Sequence, residues 1–497
     1  MDYHLTLAPD ITIKSRSVRR HLTKCLARNV RNTLRRSEPQ AVVLNQWDQL
    51  IVRLPQKLSA DLRAILEKSM TRIPGIHRIS RVRMSEFGDL DTLIEKVADE
   101  WAPRISGNSF RVSVKRSGQH DFRSVDLERR LGTALLERAD DARVSLTAAQ
   151  VDVRLRIDQQ IVMQEDTNWP GAGGFPIGTQ GQALVLMSGG FDSPVAAWKM
   201  MRRGIKCHFL LFRFAGEDQE RAVRAIALRL WQLHGSSHNI TFTTIPFEDV
   251  IDTIRRDVPD GLMGVVLKRL MMRAAERVAI RARLPVLVTG EAIGQVSSQT
   301  LANLSLIDGA CRLPILRPLL TDDKQDIIDI ARHIETAELS EVMPEYCAVI
   351  SRKPHVKAPW PLVEAAEAAL PEDLLDKAIA NLHRCAVDAP MEPDDAQDSD
   401  EIDTISLAKL HELSGPRPQV IDVRAPDQAE ANPLQLDDWD IRHIPFYELA
   451  SQGSLLDPQG SYVLYCEQGI MSRLQALHLR SQGFVHVAVL SSKSSQA

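Results

Sequence analysis

From residue 183 onward, short apolar runs alternate with amphipathic helical stretches, and this alternation constrains the fold more than any other feature of the chain. ALVLM (183–187) leads into SGGFDS and then PVAAWKMMRRG. KCHFLLFRF, EDQERAVRAIALRLWQLHG, NITFTTIPF, GVVLKRLMMRAAERVAIRAR and PVLVTG follow in turn. Apolar strands separated by helices of 3.6-residue period predict a doubly wound parallel sheet with helices on both faces. That α/β domain is expected over 183–387.

With 497 residues the chain is too long for one core, so further domains flank this one. Upstream, YHLTL reads as a strand. SVRRHLTKCLARNVRNTL then sets Val18, Leu22, Leu26, Val30 and Leu34 at helical spacing. Two strand-like runs in AVVLNQWDQLIVRL, a helix capped by Ser59, and the strand IHRISRVRM complete an α+β unit of about 85 residues. A second α+β unit follows, ending near 168, and the glycine-rich NWPGAGGFPIGTQGQ links it to the α/β domain. Residues 388–403 carry eight acids and no base, which is the composition of a linker. Beyond it, 404–497 reads as a compact α/β unit.

SGGFDS (188–193) sits between an apolar strand and a helix. Gly189 and Gly190 are expected to permit positive φ and close approach of a ligand to the backbone. Ser188, Ser193 and the free N–H groups of the helix start then face a pyrophosphate, aided by the helix dipole. Pro194 fits the first helical turn. Two glycines alone read first as a plain turn; the full hexapeptide at the first strand–helix junction favours a nucleotide.

The six cysteines (25, 207, 311, 347, 385 and 466) form no disulfide framework, and no Cys/His spacing makes a metal cluster. Cys466 ends the apolar run YVLY and precedes the helix SRLQALHLR. Backbone N–H groups at such a junction stabilise a thiolate or persulfide anion; the alternative is a small buried hydrophobe. On spacing alone Cys347 reads as inert. Cys25 and Cys207 fall on apolar faces and read as core, and no role is assigned to Cys311 or Cys385.

The net charge of −4 by itself argues against a nucleic-acid partner. It averages an uneven distribution, however: residues 1–36 hold nine Lys/Arg against Asp2 and Asp10. That basic helix reads either as an RNA-facing surface or as a solvated face. No apolar run is long enough to span a bilayer, and MDYHLTLAPDITIKSRS lacks the apolar core of a secretory signal. No membrane partner and a cytoplasmic location are the expectation.

SGGFDS resembles the SGGxDS signature of the PP-loop ATP pyrophosphatases, which adenylate a substrate with loss of pyrophosphate. YCEQGIMSRLQA, with Asp422 and Arg424 in PQVIDVR, resembles the persulfide loop of rhodanese domains. Together with LAPDITIKSRSVRR, GGFPIGTQG and MPEYCAV, these motifs make the whole chain resemble the tRNA 4-thiouridine synthetase family.

The resemblance implies a multidomain α/β and α+β protein. A ferredoxin-like domain is implied at 1–60 and a tRNA-binding THUMP domain at 61–168, with a linker at 169–182. The PP-loop domain is implied at 183–387, the acidic linker at 388–403 and a rhodanese-like sulfur carrier at 404–497. It also implies ATP and Mg2+ as cofactors. Leu186 and Met187 would lie on the adenine side, and Ser188, Gly189, Gly190, Asp192 and Ser193 would hold pyrophosphate and Mg2+. Asp192 would be the essential acid, and Lys268, Gly290 and Gln299 further ATP contacts. Without the family, Lys268 reads as a solvated helix lysine.

The implied cycle loads sulfur from a cysteine desulfurase onto Cys466, transfers it to an adenylated uridine, expected at position eight of tRNA, and leaves a Cys347–Cys466 disulfide. A thiol reductant must then restore both thiols. Sulfur delivery to a carrier protein for thiamine thiazole synthesis is a second implied role. An RNA-binding module with an inactive ATP domain is the competing reading; the intact SGGFDS and both cysteines argue against it.

Overall fold

A computed structural model describes residues 2–46, 49–214, 216–341, 343, 351, 353–390, 402–406, 409–410, 417–424, 429–430, 432–436, 439–445, 449, 456–466, 472, 475–476, 479–480 and 483–491. Cys347, most of the acidic stretch 388–403 and the segment 467–471 after Cys466 lie outside the described residues. Backbone contacts divide the chain into two units, residues 1–179 and 180–497.

The first unit opens with β1 (Asp2–Leu7), α1 (Pro9–Thr12), α2 (Arg16–Leu34), β2 (Val42–Asn45), β3 (Gln49–Arg53), α3 (Ala60–Thr71) and β4 (Ile76–Glu86). β1 pairs antiparallel with both β3 and β4, and β2 with β3. The order β2-β3-β1-β4 is the ferredoxin-like arrangement. The Ser59 hydroxyl accepts from the Leu62 N–H at 3.2 Å and caps α3 as its sequence predicts. Leu22, Leu26, Val30 and Leu34 of α2 are buried with Leu66 and Met70 of α3 and Ile76 and Ile79 of β4. The first core therefore extends through β4. Residue 60, where a boundary is implied, falls within this core.

α4 (Leu90–Ile105), β5 (Ser109–Ser117), α5 (Ser124–Arg138), β6 (Arg143–Val144), β7 (Val151–Asp158) and β8 (Ile161–Pro170) build a second core around Trp101, Phe110, Leu131 and Val153. The two cores do not have separate sheets. β8 pairs with β7 on one side and with β4 on the other, which makes a single eight-stranded sheet. The stretch 169–182 is also more tightly held than a linker. Phe175 is buried in the first core, and the Asn29 amide donates to the Ile177 carbonyl at 3.0 Å.

The second unit begins with β9 (Gln182–Met187), α6 (Asp192–Arg202), β10 (Lys206–Arg213), α7 (Gly216–Leu230), β11 (Thr241–Pro246), α8 (Glu248–Asp257), α9 (Met263–Arg281) and β12 (Leu287–Val288). α10 (Leu301–Asp308), β13 (Ile315–Leu316), α11 (Lys324–His333), α12 (Ala337–Glu341), α13 (Trp360–Ala368), α14 (Leu374–Ala380) and β14 (His383–Ala386) complete the domain. Its sheet runs β13-β12-β9-β10-β11-β14. Every pair is parallel except that of β14 with β11. α6, α7, α11 and α12 contact one another, and α9 contacts α8, α10, α13 and α14. These are the two helical layers that the alternating pattern predicts.

The chain turns from β9 to β10 on one side and reaches β12 on the other. The C-terminal end of β9 is therefore the switch point at which doubly wound sheets bind ligands.

A separate parallel sheet closes the chain, in the order β15-β19-β18-β16-β17. Its strands are β15 (Thr404–Ser406), β16 (Gln419–Asp422), β17 (Ile441–His443), β18 (Ser461–Tyr465) and β19 (His486–Ser491). Val463 and Leu464 are buried at its centre. Among the described residues no helix is long and apolar enough to cross a membrane.

Candidate functional site

SGGFDS follows β9 at the switch point. The Ser193 hydroxyl accepts from the Ser188 N–H at 2.9 Å and donates to the Ser188 carbonyl at 3.1 Å, which closes the loop on itself. Neither Gly189 nor Gly190 has a positive φ, so the expectation of left-handed backbone is not met. Their reasons differ. A Cβ at Gly189 would fall 2.6–2.9 Å from the Met343 side chain, whereas a Cβ at Gly190 would meet nothing within 4 Å. Gly189 is needed for close packing, and Gly190 leaves space over the loop for a ligand.

One pocket opens above this loop. Leu186, Met187, Ser188, Gly189, Gly190, Asp192 and Ser193 line it from the loop side. Lys268 from α9, Gly290 beyond β12, and Gln299 beyond that complete it. All ten residues proposed from sequence as nucleotide contacts thus meet at one place. Phe212, Phe214 and Met271 add an apolar wall, suited to a flat heteroaromatic ring.

The charges of the site are paired. Asp192, at the start of α6, accepts from Lys324 at 2.9 and 3.2 Å and from the Gln295 amide at 3.1 Å. Lys268 donates to Glu291 at 2.7 Å, and Arg317 donates to the other Glu291 oxygen at 2.8 Å. Burial alone would raise the Glu291 carboxyl, but the two cations outweigh it and hold it down at about 2.

Lys324, Glu291, Gln295 and Arg317 were missed in the sequence. Glu291 and Gln295 stand in GEAIGQ directly after Gly290, and that adjacency was the available signal. Lys324 carried none, because its partner Asp192 lies 132 positions away.

Cys466 directly follows β18 and is buried. The Ser472 N–H donates to its sulfur at 3.3 Å, and the Ser472 hydroxyl lies 3.4 Å from it. Behind it, Arg424 and Asp422 form a buried ion pair at 2.7 Å, and the guanidinium stacks 5.0 Å from the centre of the Tyr465 ring. The DVR residues therefore brace the strand end that presents Cys466. Cys25 and Cys207 are buried, as their apolar faces predict. Burial pushes the Cys207 thiol up, and pushes that of Cys311 up to about 11. Those two thiols are kept protonated.

The chain is similar to known proteins along nearly its whole length. The family described as Thiamine biosynthesis protein (ThiI) matches residues 178–371, and the THUMP domain matches residues 85–163. The tRNA sulfurtransferase of Pectobacterium atrosepticum is 42% identical over 489 residues, covering 98% of this chain and 99% of the relative. The chain belongs to the tRNA sulfurtransferase family. A second member, from Shewanella halifaxensis, is 41% identical with the same coverage. The fold of this tRNA sulfurtransferase family member is shared with a crystal structure of a 4-thiouridine synthetase–RNA complex with bound ATP. That match has a TM-score of 0.67 at 23% identity, and it covers 78% of this chain and 99% of the other. The THUMP match begins at 85, at the end of β4.

Proposed function

We propose that this chain is an ATP-dependent tRNA sulfurtransferase that forms 4-thiouridine, with ATP held in the pocket above SGGFDS. The observation that carries the reading is the convergence of Leu186, Ser188, Asp192, Lys268, Gly290 and Gln299 on one pocket at the switch point. The names of its relatives supply tRNA as the substrate class, and the solved complex with RNA and ATP is consistent with both ligands.

ATP places its adenine against Leu186, Met187 and the Phe214 wall, and its phosphates over Gly190 and the start of α6. The free N–H groups of that helix and Lys268 draw negative charge toward the pyrophosphate. The pocket suits Mg2+, because Asp192 offers hard carboxylate oxygens beside the phosphate end, and a single carboxylate plus phosphates is a usual Mg2+ setting. Bound there, the ion would neutralise phosphate charge. The uridine O4 attacks the α-phosphorus and pyrophosphate leaves, so O4 becomes part of a good leaving group.

Cys466 carries sulfur as a persulfide received from a cysteine desulfurase. Its terminal sulfur attacks C4, and AMP departs with the former O4. The Cys347 thiolate then attacks Cys466 Sγ. The S–S bond breaks toward the uridine sulfur, which leaves as the 4-thione, and a Cys347–Cys466 disulfide forms. A thiol reductant returns two electrons to restore both cysteines. Chain connectivity supports the role of Cys347. Met343 packs on Gly189, and four residues of extended chain reach at most about 14 Å. The exposed Arg16, Arg20, Lys24 and Arg28 of α2 offer contacts to RNA phosphates.

The test is nucleoside mass spectrometry of tRNA incubated with the protein, Mg-ATP, cysteine and a cysteine desulfurase. 4-Thiouridine should appear only with ATP, and not with Cys466→Ala. A Cys466 that loads sulfur while tRNA stays unmodified would favour the second reading, delivery of sulfur for thiamine thiazole synthesis, which the ThiI family description supports.

A further inference from the structure

Lys268 stands on α9 with its ammonium at the pocket wall, and its side chain is 12% exposed. A lysine stem has four rotatable bonds, so something must fix where that charge sits. Glu291 is the group that meets it, at 2.7 Å, and Glu291 itself lines the pocket one residue beyond Gly290.

The carboxylate of Glu291 is shared. Oε1 accepts from Lys268, while Oε2 accepts from Arg317 at 2.8 Å and from the Thr289 hydroxyl at 3.1 Å. Arg317 turns its outer nitrogens to Asp308, at 2.5 and 3.2 Å, and so stays on the far side of the carboxylate. Lys268 spends one of its three ammonium hydrogens on Glu291, leaving two for oxygens of a ligand.

We infer that Glu291 is a positioning residue for the nucleotide: it holds the Lys268 ammonium at the pocket wall, anchored from behind by Arg317 and Thr289. The inference rests on ATP occupying this pocket. Removing the carboxylate leaves two largely buried cations without the anion between them, and Lys268 then has no reason to stay in place. A glutamine does not replace it, because its oxygen serves one cation and its NH2 group meets the other as a second donor.

The test is equilibrium ATP binding to the full-length chain, with Glu291→Gln, Lys268→Ala and the double variant. Glu291→Gln should weaken ATP binding by about 10- to 100-fold, the range that loss of a supporting partner costs at metal sites. The double variant should bind ATP no more weakly than Lys268→Ala alone, because Glu291 acts through Lys268. Additive losses would overturn the inference. Glu367→Gln is the control for general loosening of α9: Glu367 accepts from Arg269 and Arg273 at 2.6 Å on the same helix, away from the pocket. It should lower Tm and spare ATP affinity; an equal loss of affinity there would overturn the positioning role. If Glu291→Gln does not fold, the cycle runs with Glu291→Asp, which keeps the charge at shorter reach and must weaken ATP binding only while Lys268 is present. A wild-type chain that binds no ATP overturns the nucleotide reading itself, before any variant is compared.

Discussion

The side chain of Met343 lies against Gly189 so closely that a Cβ at 189 would sit 2.6 Å from its Cε and 2.7 Å from its Cβ. The SGGFDS loop is thus packed under the residue from which the Cys347 segment departs. Gly189→Ala should cost about 1–3 kcal/mol as an overpacked contact, seen as a lower Tm together with weaker ATP binding. Met343→Ala should not rescue it, because the offending Cβ remains. Met343→Gly in the Gly189→Ala background should recover ATP binding, and its failure to do so would show that the glycine serves the ligand rather than the packing.

Gly290 has a harder neighbour. A Cβ there would meet the Asp192 carbonyl carbon at 2.7 Å and the Ser193 nitrogen at 2.9 Å. Backbone at a helix start cannot swing aside as a methionine does. Gly290→Ala should therefore abolish ATP–pyrophosphate exchange, and no single side-chain truncation should restore it. Wild-type exchange in Gly290→Ala would mean the strand end moves freely, against this packing.

His208 carries a pH dependence. Its Nδ1 accepts from the Thr241 N–H at 3.2 Å, so the ring proton sits on Nε2 and points to the Gln182 amide oxygen at 3.2 Å. Burial, helped by nearby Lys206 and Arg384, lowers its pKa to about 4. The unfolded chain, with an ordinary value near 6.5, binds a proton first as pH falls. Stability from this residue is thus full above about pH 6.5 and declines toward pH 4. Urea midpoints at pH 7.5 and 5 should differ less in His208→Gln than in the wild type; an unchanged difference would exclude His208 as the source.

The Asp422–Arg424 pair is buried on both sides, with side chains 5% and 2% exposed. Breaking such a pair leaves an uncompensated charge and costs about 3–5 kcal/mol. Arg424→Met should lower the unfolding midpoint of the C-terminal domain and, through Tyr465, reduce persulfide loading of Cys466 by a desulfurase. The double change Asp422→Asn with Arg424→Met should be milder than either alone. A double variant as damaged as the sum of both would place their importance outside the pair.

Local pattern made the strand–loop–helix at 183–202 legible, and the same holds for the Ser59 cap and the two helical layers around the second sheet. Each depends on residues within a turn or two of one another. The pairing of β4 with β8 was not legible, because register between strands some eighty residues apart leaves no trace in either strand. The role of Gly189 was misassigned for a similar reason: a glycine required by a distant Met343 looks, in sequence, the same as one required by its own φ. Glu291 and Lys324 escaped because a charged residue on a helix or loop reads as solvated until its partner is seen.

The continuous sheet of the first unit works as a beam. Eight strands spaced at about 4.8 Å span roughly 34 Å from β2 to β6, with no seam at which one lobe can hinge against the other. Tilting them apart would mean tearing the ladder that runs from Arg78–Pro170 to Glu86–Ile161. Any ligand gripped at both ends of that beam is held at a set span, and the compliance needed to accept it must come from the ligand itself.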